Sequence, residues 1–154
     1  MIPTISGGVA LNVIPPDCVI SIDRRVLPTE TEDEVSREII EVVHGALPPT
    51  AAARVKGRKV RFVPPASTDP RAEIVAAAER GASGVLGRPV RAAGFTATCD
   101  MTYLVNGASI PTVILGPGTI DVAHQANEHV PIAQLELAVD VYLQTIGVWC
   151  GHAA

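Results

Sequence analysis

Hydrophobic and polar positions follow two periods along the first part of the chain, and they predict strands and one helix. An apolar run at residues 18–22 and strand-forming residues within 5–14 and 53–63 predict strands, with a Pro-Pro-Asp turn at residues 15–17 making a hairpin of the first two. Apolar residues at helical spacing in 35–43 follow two overlapping Thr-x-x-Glu capping boxes, Thr29 with Glu32 and Thr31 with Glu34. The order β, β, α, β is typical of part of a ferredoxin-like sandwich.

The second part of the chain alternates helix and strand after a proline-rich linker at residues 64–68, so we place a domain boundary between 1–65 and 66–154. Asp69-Pro70 predicts the start of a helix, and Gly84 and Gly87 bracket its end. The remaining predicted elements are strands at 90–93 and 110–115, a short helix at 100–105, and a long amphipathic helix opened by Pro131. We therefore expect an α/β fold in which an α+β domain precedes an open α/β sheet.

Composition and charge restrict the partners of this chain. Hydrophobic residues make up 47% and aromatic residues 3%, so a core of aliphatic side chains can form. The net charge of -4 argues against nucleic acid and against an anionic membrane surface, and the one basic run, residues 54–61, is interpreted as the solvated face of an exposed strand. No run reaches the ~20 apolar residues of a membrane span, and no signal peptide is visible. Three cysteines without a CxxC pair suit a reducing compartment, so we expect a cytoplasmic protein.

The candidate chemistry lies in a loop between the predicted strand 110–115 and the last helix. A Gly116-Pro117-Gly118 turn is followed by His124 and then by Glu128. Neutral imidazole is the commonest metal ligand in proteins, and a nearby carboxylate can orient it. The alternative is an ordinary solvated loop histidine, as we expect for His44, His129 and His152. Phosphate binding at the Gly-Pro-Gly turn is disfavoured because proline removes a backbone donor.

Four motifs in this order carry a resemblance to a known family. They are Asn12-Val13-Ile14-Pro15, Asp23-Arg24-Arg25, Thr98-Cys99-Asp100, and the loop 116–128 with its Ala-His-Gln…Asn-Glu run. Over nearly the whole chain they resemble the C-terminal half of the acetylornithine deacetylase and succinyl-diaminopimelate desuccinylase family of zinc metallohydrolases. The resemblance implies a partial ferredoxin-like lid domain in 1–65, the C-terminal part of a catalytic domain in 66–154, and two zinc ions in the complete enzyme, with cobalt or manganese as alternatives.

The resemblance also implies roles for individual residues. His124 matches a metal ligand. Glu128 matches a carboxylate that supports this ligand without binding the metal itself. Asn12 and Arg25 match lid residues that reach the substrate, since a guanidinium binds a carboxylate bidentately. The Gly116 backbone matches a place where the substrate approaches closely. The resemblance gives Asp100 a position near the site and no firm role.

Each of these assignments has a structural alternative. Asn12 could shape a turn, Arg25 could pair with Asp23 or Glu30 on the surface, and Asp100 could cap a helix. The family's other ligands come from a His-x-Asp motif, a bridging aspartate and a Glu-Glu pair that includes the general base. This sequence has neither a His-x-Asp nor a Glu-Glu.

We therefore expect the C-terminal portion of a metal-dependent amidohydrolase or peptidase that begins inside the lid domain. The resemblance implies that the complete enzyme hydrolyses small N-acylated amino acids or peptides and forms a homodimer through the lid. Because each catalytic zinc takes about three protein ligands, the isolated chain should be inactive. The alternative is a non-catalytic binding or oligomerisation module derived from such an enzyme.

Overall fold

The computed structural model describes residues 1–151 and divides into two compact units, Met1–Pro64 and Pro65–Ala154. Helices occur in both units, and one small antiparallel sheet lies in the first. This mixture is compatible with the expected α/β class. The identities of the two parts as a ferredoxin-like lid and a catalytic domain stay predictions.

The first unit begins with the predicted hairpin, which is confirmed in a shorter form. Strand β1 covers Thr4–Gly7 and strand β2 covers Cys18–Ser21, paired antiparallel with Thr4 opposite Ser21. The Thr4 hydroxyl donates a hydrogen bond of 2.8 Å to Ser21 Oγ across the pair. Every residue of both strands is exposed, so the hairpin has no apolar layer against either face within the described chain.

Helix α1 covers Glu32–Gly45 and begins at one of the two predicted capping boxes. Thr31 is the N-cap: its hydroxyl accepts from the Glu34 backbone N–H at 3.3 Å, and the Glu34 carboxylate accepts from the Thr31 backbone N–H at 2.9 Å. These two bonds satisfy backbone donors that the start of a helix leaves without intrahelical partners. A short helix, α2, follows at Pro49–Ala52.

Removing this cap should weaken the first unit measurably. We expect Thr31→Ala to lower the free energy of unfolding by about 1 kcal/mol, the usual cost of losing a threonine cap. The measurement is urea unfolding followed by circular dichroism. Thr29→Ala is the matched control, because Thr29 belongs to the other predicted capping box, at which the helix does not begin. It should change the free energy of unfolding by less than about 0.5 kcal/mol. Equal losses in the two variants would contradict the assignment.

The same contacts make stability depend on pH. The hydroxyl and backbone N–H of Thr31 lower the pKa of Glu34 below its ordinary value of 4.5. A carboxyl whose pKa is lower in the folded state contributes stability above the unfolded pKa, and this contribution is lost as the pH falls through the folded pKa. We expect the urea midpoint to fall below about pH 4.5, and to fall less steeply in Glu34→Gln. Identical slopes in wild type and Glu34→Gln would rule out this source.

The strand predicted at 53–63 is wrong. Helix α2 and the turn after it take up residues 49–54, and residues 55–63 have no regular structure. A strand is stabilised by hydrogen bonds to a neighbouring strand, and no described residue pairs with this segment. The basic run at 54–61 is therefore loop, and its Lys59 ammonium contacts the Glu32 carboxylate at the start of α1.

The second unit is built on two long helices that pack against each other. Helix α3 covers Glu73–Leu86 and helix α4 covers Ile132–Trp149, the latter starting after Pro131 as predicted. The helices bury a small aliphatic core, made of Val75, Ala77, Ala78, Ala82 and Val141. This core is aliphatic, as the low aromatic content predicts.

Helix α3 ends as predicted but begins later. Gly87 closes it with a φ of 62°, the left-handed conformation that glycine adopts without strain. The predicted start at Asp69-Pro70 is wrong: the Asp69 carboxylate instead accepts from the Arg71 backbone N–H at 2.8 Å and from its guanidinium. This side-chain turn uses the cap before the helix begins, and Ala72 takes the N-cap position.

Helices α3 and α4 are in close contact at Gly81. A Cβ built on Gly81 would lie 2.4 Å from Thr145 Oγ1, 2.7 Å from the Thr145 backbone nitrogen and 2.9 Å from its Cα. These distances are shorter than van der Waals contact, and two of the three atoms are backbone. Glycine is therefore required here by the separation of the two helices.

The strands predicted at 90–93 and 110–115 are also wrong, so the expected open sheet is absent from residues 65–151. Side chains bind the backbone there instead of neighbouring strands. Val90 N–H donates to Ser83 Oγ at 2.9 Å, and Thr112 N–H donates to Thr68 Oγ1 at 3.0 Å. The helix predicted at 100–105 lies slightly later, as a helical segment whose Tyr103–Gly107 stretch is a π-helix.

One face of α4 carries large apolar side chains that remain at least one-third exposed. They are Ile132, Leu135, Val139, Tyr142, Leu143, Ile146 and Trp149. Apart from the adjacent Tyr142 and Leu143, these positions recur every three or four residues, so they form one stripe along the helix. Despite this apolar character, no helix within residues 1–151 combines the length and hydropathy needed to cross a bilayer.

Candidate functional site

The candidate loop is attached to α4 at two points. Gly118, with a φ of 88°, donates its N–H to the Gln134 side-chain carbonyl at 2.8 Å. The Tyr142 hydroxyl donates to the Leu115 carbonyl at 3.2 Å. The start of the loop is thereby fixed to α4 at Gln134 and, about two turns further along, at Tyr142.

Gly116 lies between these attachments, and the chain itself leaves it some space. A Cβ built on Gly116 would meet only the Tyr142 hydroxyl, at the ordinary contact distance of 3.5 Å. No described side chain therefore requires glycine at this position. A close approach by substrate would require it, and that role stays a prediction.

The middle of the loop is a short turn that leads into His124. Thr119 caps a 3-10 helix at Ile120–Val122 through a bond from the Asp121 N–H. The Gln125 side-chain amide then donates back to the Asp121 carbonyl. These local bonds shape the backbone immediately before and after His124.

Glu128 binds the backbone of His124. Its Oε2 accepts from the His124 N–H at 2.9 Å, while the Glu128 N–H donates to the Gln125 carbonyl at 3.1 Å. The sequence predicted support for His124 from Glu128, and the two residues do lie in contact. The contact fixes the position of the histidine through its main chain, and both side chains are exposed.

The His124 backbone has a φ of 61°, in the left-handed region that side chains with a Cβ adopt rarely. Such a conformation costs roughly 1–2 kcal/mol, and it tends to persist where a side chain is needed in place. Ser109, with a φ of 57°, has the same conformation, so the conformation alone does not identify a site. The strained backbone and the hydrogen bond from the His124 N–H to Glu128 together indicate that the fold fixes the chain conformation at His124.

The strain predicts that glycine at position 124 stabilises the fold. We expect His124→Gly to raise the free energy of unfolding by about 0.5–1 kcal/mol, the strain relieved less the entropy that glycine loses on folding. His124→Ala keeps the Cβ and is the control, with no such gain. Urea unfolding of the two variants is the measurement. Equal stabilities would show that the backbone at position 124 is unstrained.

Arg25 makes the surface pairing that was its structural alternative. Its Nη2 lies 3.5 Å from Asp23 Oδ2, and 60% of the side chain is exposed. Glu30, the other partner considered for Arg25, instead binds Arg24 at 2.6 Å, and Arg24 also reaches Glu38 at 3.4 Å. The Arg24 guanidinium and the Leu27 N–H lower the pKa of Glu30. Sequence reasoning missed this network because Arg24 and Arg25 lie six and five positions before Glu30, and so small a difference does not decide which of them binds it.

Asn12 and Asp100 lie in exposed turns. Asn12 sits in the loop between β1 and β2, inside a turn in which the Val13 N–H donates to the Ala10 carbonyl at 3.3 Å. The Asp100 carbonyl accepts from the Tyr103 N–H at 3.0 Å, at the start of the π-helical segment. Asn12 belongs to the same unit as Arg25, and Asp100 to the unit that contains His124. Their functional roles stay predictions.

The residues present do not fit a complete metal site. Across residues 1–151 no three histidine, cysteine, aspartate or glutamate side chains gather where they could hold one ion. A zinc site takes about three ligands from protein, so His124 is at most one of a larger set. No reaction step through zinc follows from these residues alone. His129 has its Nδ1 2.7 Å from the Asn127 carbonyl oxygen, and His152 lies outside the described residues.

Comparison with known proteins assigns the chain, including this loop, to a family. Residues 4–147 match the model of peptidase family M20/M25/M40. The chain is 31% identical over 148 residues to acetylornithine deacetylase of Myxococcus xanthus, covering 96% of this chain and 37% of that protein.

It is 30% identical over 159 residues to N-formyl-4-amino-5-aminomethyl-2-methylpyrimidine deformylase of Bacillus subtilis (strain 168), covering 96% of this chain and 37% of the relative. No solved structure matches the chain. The chain thus spans 37% of the length of these relatives, and the family match includes the whole loop from Gly116 to Glu128. The chain belongs to peptidase family M20/M25/M40.

Proposed function

We propose that this chain is the C-terminal part of a metal-dependent amidohydrolase that removes a small acyl group from an amide nitrogen. The observation that carries the proposal is the match over residues 4–147, which runs through the loop where Glu128 holds His124. Two of the relatives that the chain matches carry the names of a deacetylase and a deformylase. Acetyl and formyl are both small acyl groups, which favours a small N-acylated amino acid or peptide as substrate.

In this proposal His124 contributes one ligand to a zinc ion, and residues outside the described chain contribute the others. Glu128 binds the main-chain N–H of His124 and thereby fixes the backbone that carries the imidazole. The bond is charge-assisted, which makes it stronger than a neutral hydrogen bond. Cobalt or manganese could replace zinc, because imidazole also suits other transition metals.

Arg25 is proposed to bind the carboxylate of the substrate. Its contact to Asp23 is long, at 3.5 Å, and lies in solvent, where such pairs contribute little. Asn12 and the Gly116 backbone complete the proposed substrate contacts.

The hairpin of β1 and β2 is proposed to pair edge to edge with a second copy, which would make the enzyme a homodimer. Its outer edges have no strand neighbour within residues 1–151, and unpaired edges favour association. Analytical ultracentrifugation tests this point. A monomer at micromolar concentration would contradict it.

A non-catalytic association module is the second candidate function. The observation in its favour is the exposed apolar stripe of α4, in which Ile132 is 75% and Leu143 is 63% exposed. Contiguous exposed apolar side chains are typical of surfaces that other protein covers. The same stripe is expected if the chain forms part of a larger fold, so it does not by itself distinguish the two functions.

The experiment that separates them is a chimera. The upstream part of the Myxococcus xanthus acetylornithine deacetylase is joined to this chain, which replaces the region it matches. We expect the chimera to bind zinc and to hydrolyse N-acetyl or N-formyl amino acids. A folded, zinc-loaded chimera that hydrolyses neither would contradict the enzymatic proposal and favour the module.

A further inference from the structure

A groove of about 520 Å³ lies beside the last two turns of α3. The loop that follows Gly87 turns back along the helix and forms the opposite side of the groove. Three arginines line it: Arg80 from the helix, and Arg88 and Arg91 from the loop. The groove contains no residue of the candidate loop 116–128, so it is a separate feature.

Three hydrogen bonds hold the loop against the helix. The Glu79 carboxylate accepts from the Ala92 N–H at 2.8 Å and from the Arg91 guanidinium at 2.9 Å. The Ser83 hydroxyl accepts from the Val90 N–H at 2.9 Å, which leaves its own O–H as a donor at the groove. Both Ala92 and Arg91 lower the pKa of Glu79, which keeps it charged. The groove is therefore formed before any ligand arrives.

The positive charge of the groove is not fully compensated by the protein. Glu79 pairs with Arg91, and among the described residues no carboxylate lies within ion-pair distance of Arg80 or Arg88. Both arginine residues are exposed, and both line the groove. Arg80 from the helix and Arg88 from the loop thus line one groove without a carboxylate partner among the described residues, and guanidinium groups bind oxyanions through several N–H donors.

The distribution of charge over the second unit strengthens this interpretation. Residues 65–154 contain four basic residues, all arginine, and eight acidic residues, which gives 4 - 8 = -4. Three of the four arginines line this one groove. The fourth, Arg71, is paired with Asp69 at 2.8 Å. A unit that is acidic elsewhere thus concentrates its positive charge at a single groove.

The helix dipole accounts for only part of this arrangement. The C-terminal end of a helix favours cations, and the effect falls off within the last turn. Arg80 lies nearly two turns before the end of α3. Dipole compensation therefore does not explain why Arg80, Arg88 and Arg91 surround the same space.

We propose that this groove is a binding site for a small multivalent oxyanion, with Arg80 and Arg88 as its principal ligands. Phosphate esters and polycarboxylates share the required chemistry, namely several oxygen acceptors with at least two negative charges. The Ser83 hydroxyl supplies a further donor. The site is independent of the proposed hydrolytic function.

The test is calorimetric titration of the 154-residue chain with pyrophosphate and, in a second arm, with citrate at equal ionic strength. Binding of pyrophosphate alone identifies phosphate groups as the ligand chemistry, and binding of citrate alone identifies carboxylates. We expect Arg80→Gln and Arg88→Gln each to weaken binding by about tenfold, since a charge-assisted bond is lost. The same ligand should raise the thermal unfolding midpoint of the wild type, because it binds only the folded state.

Arg71→Gln is the matched control, since it removes the same charge from the same unit outside the groove. We expect it to change affinity by less than about twofold. Equal weakening in all three variants would show general charge attraction and overturn the proposal. Unchanged affinity in Arg80→Gln and Arg88→Gln, or no binding to the wild type at millimolar concentration, would also overturn it. Circular dichroism of each variant confirms that the fold is retained.

Discussion

Gly81→Ala is expected to destabilise the second unit by about 2–3 kcal/mol, the upper part of the range for inserting a methyl group into a packed interface. The new Cβ would lie 2.7 Å from the Thr145 backbone nitrogen and 2.9 Å from its Cα. Backbone atoms cannot rotate away, so α3 and α4 would have to separate. Separation would loosen the contacts of Val141 and the alanines of α3, which form most of this unit's core. Urea unfolding followed by circular dichroism is the measurement.

Gly84→Ala is the matched control for this substitution. Gly84 lies one turn further along α3, and a Cβ there would meet nothing within 4 Å. Alanine is the better helix former by about 1 kcal/mol, so we expect Gly84→Ala to stabilise the chain. Opposite signs for the two variants are the expected result. A stabilising effect of Gly81→Ala would show that the helices are further apart than the structure has them.

The Thr145 side chain offers a second check on the same contact. Its Oγ1 is buried and has no hydrogen-bond partner among the described residues. Thr145→Ala removes both an unsatisfied hydroxyl and the atom nearest to the new methyl group, at 2.4 Å. We expect the double variant with Gly81→Ala to recover part of the loss. Full recovery is not expected, because the contacts to the Thr145 backbone remain.

His124→Ala is expected to reduce zinc affinity and kcat/KM of the chimera by at least 100-fold. Removing even an outer partner of a metal ligand typically costs about 10–100-fold, and removing a ligand should cost at least as much. Zinc retention during dialysis and hydrolysis of N-acetyl substrates are the two measurements. Retention of both zinc and activity would show that His124 is an ordinary loop histidine.

Two variants in the same loop complete this experiment. His129→Ala removes an imidazole five residues further along, whose Nδ1 lies at the Asn127 carbonyl, and should leave both quantities unchanged. Glu128→Ala removes the acceptor of the His124 N–H and should reduce affinity by about tenfold, the effect of a lost supporting partner. A loss in His129→Ala equal to that in His124→Ala would mean that the loop as a whole, and not His124, is being disrupted.

The features that the sequence predicted correctly are local ones. The Thr31 capping box, the end of α3 at Gly87 and the start of α4 after Pro131 each depend on a few neighbouring residues. Their physical cause is contained in the segment itself, so a single sequence is sufficient to predict them. The predicted start of α3 was wrong, and the cause is again local: Asp69 binds Arg71 in a turn and does not cap the helix.

The strands that failed depend on contacts distant in the sequence. Residues 53–63, 90–93 and 110–115 have the apolar pattern of strands, yet their pairing requires a partner that the pattern does not specify. In the described chain Ser83 and Thr68 side chains bind backbone groups of the second and third segments. An apolar run predicts that a segment prefers burial, and only the rest of the fold decides whether it becomes a strand.

The roles of the candidate site residues stay predictions, while the structure does show a contact between two of them. The resemblance implies that Glu128 supports His124, and the Glu128 carboxylate accepts from the His124 main-chain N–H. The left-handed backbone at His124 and the bond to its main chain depend on the turn at Ile120–Val122, which has no strong sequence signal. Likewise, the sequence does not specify that Arg24 binds Glu30 and that Arg25 binds Asp23.

The central claim is that His124 is one ligand of a metal site that the chain does not complete by itself. Metal content of the purified 154-residue chain, measured by plasma mass spectrometry after exhaustive dialysis without chelator, tests it most directly. The account predicts zinc far below one ion per chain. One tightly held zinc ion per chain would contradict it, because the missing ligands would then come from this chain or from a second copy of it.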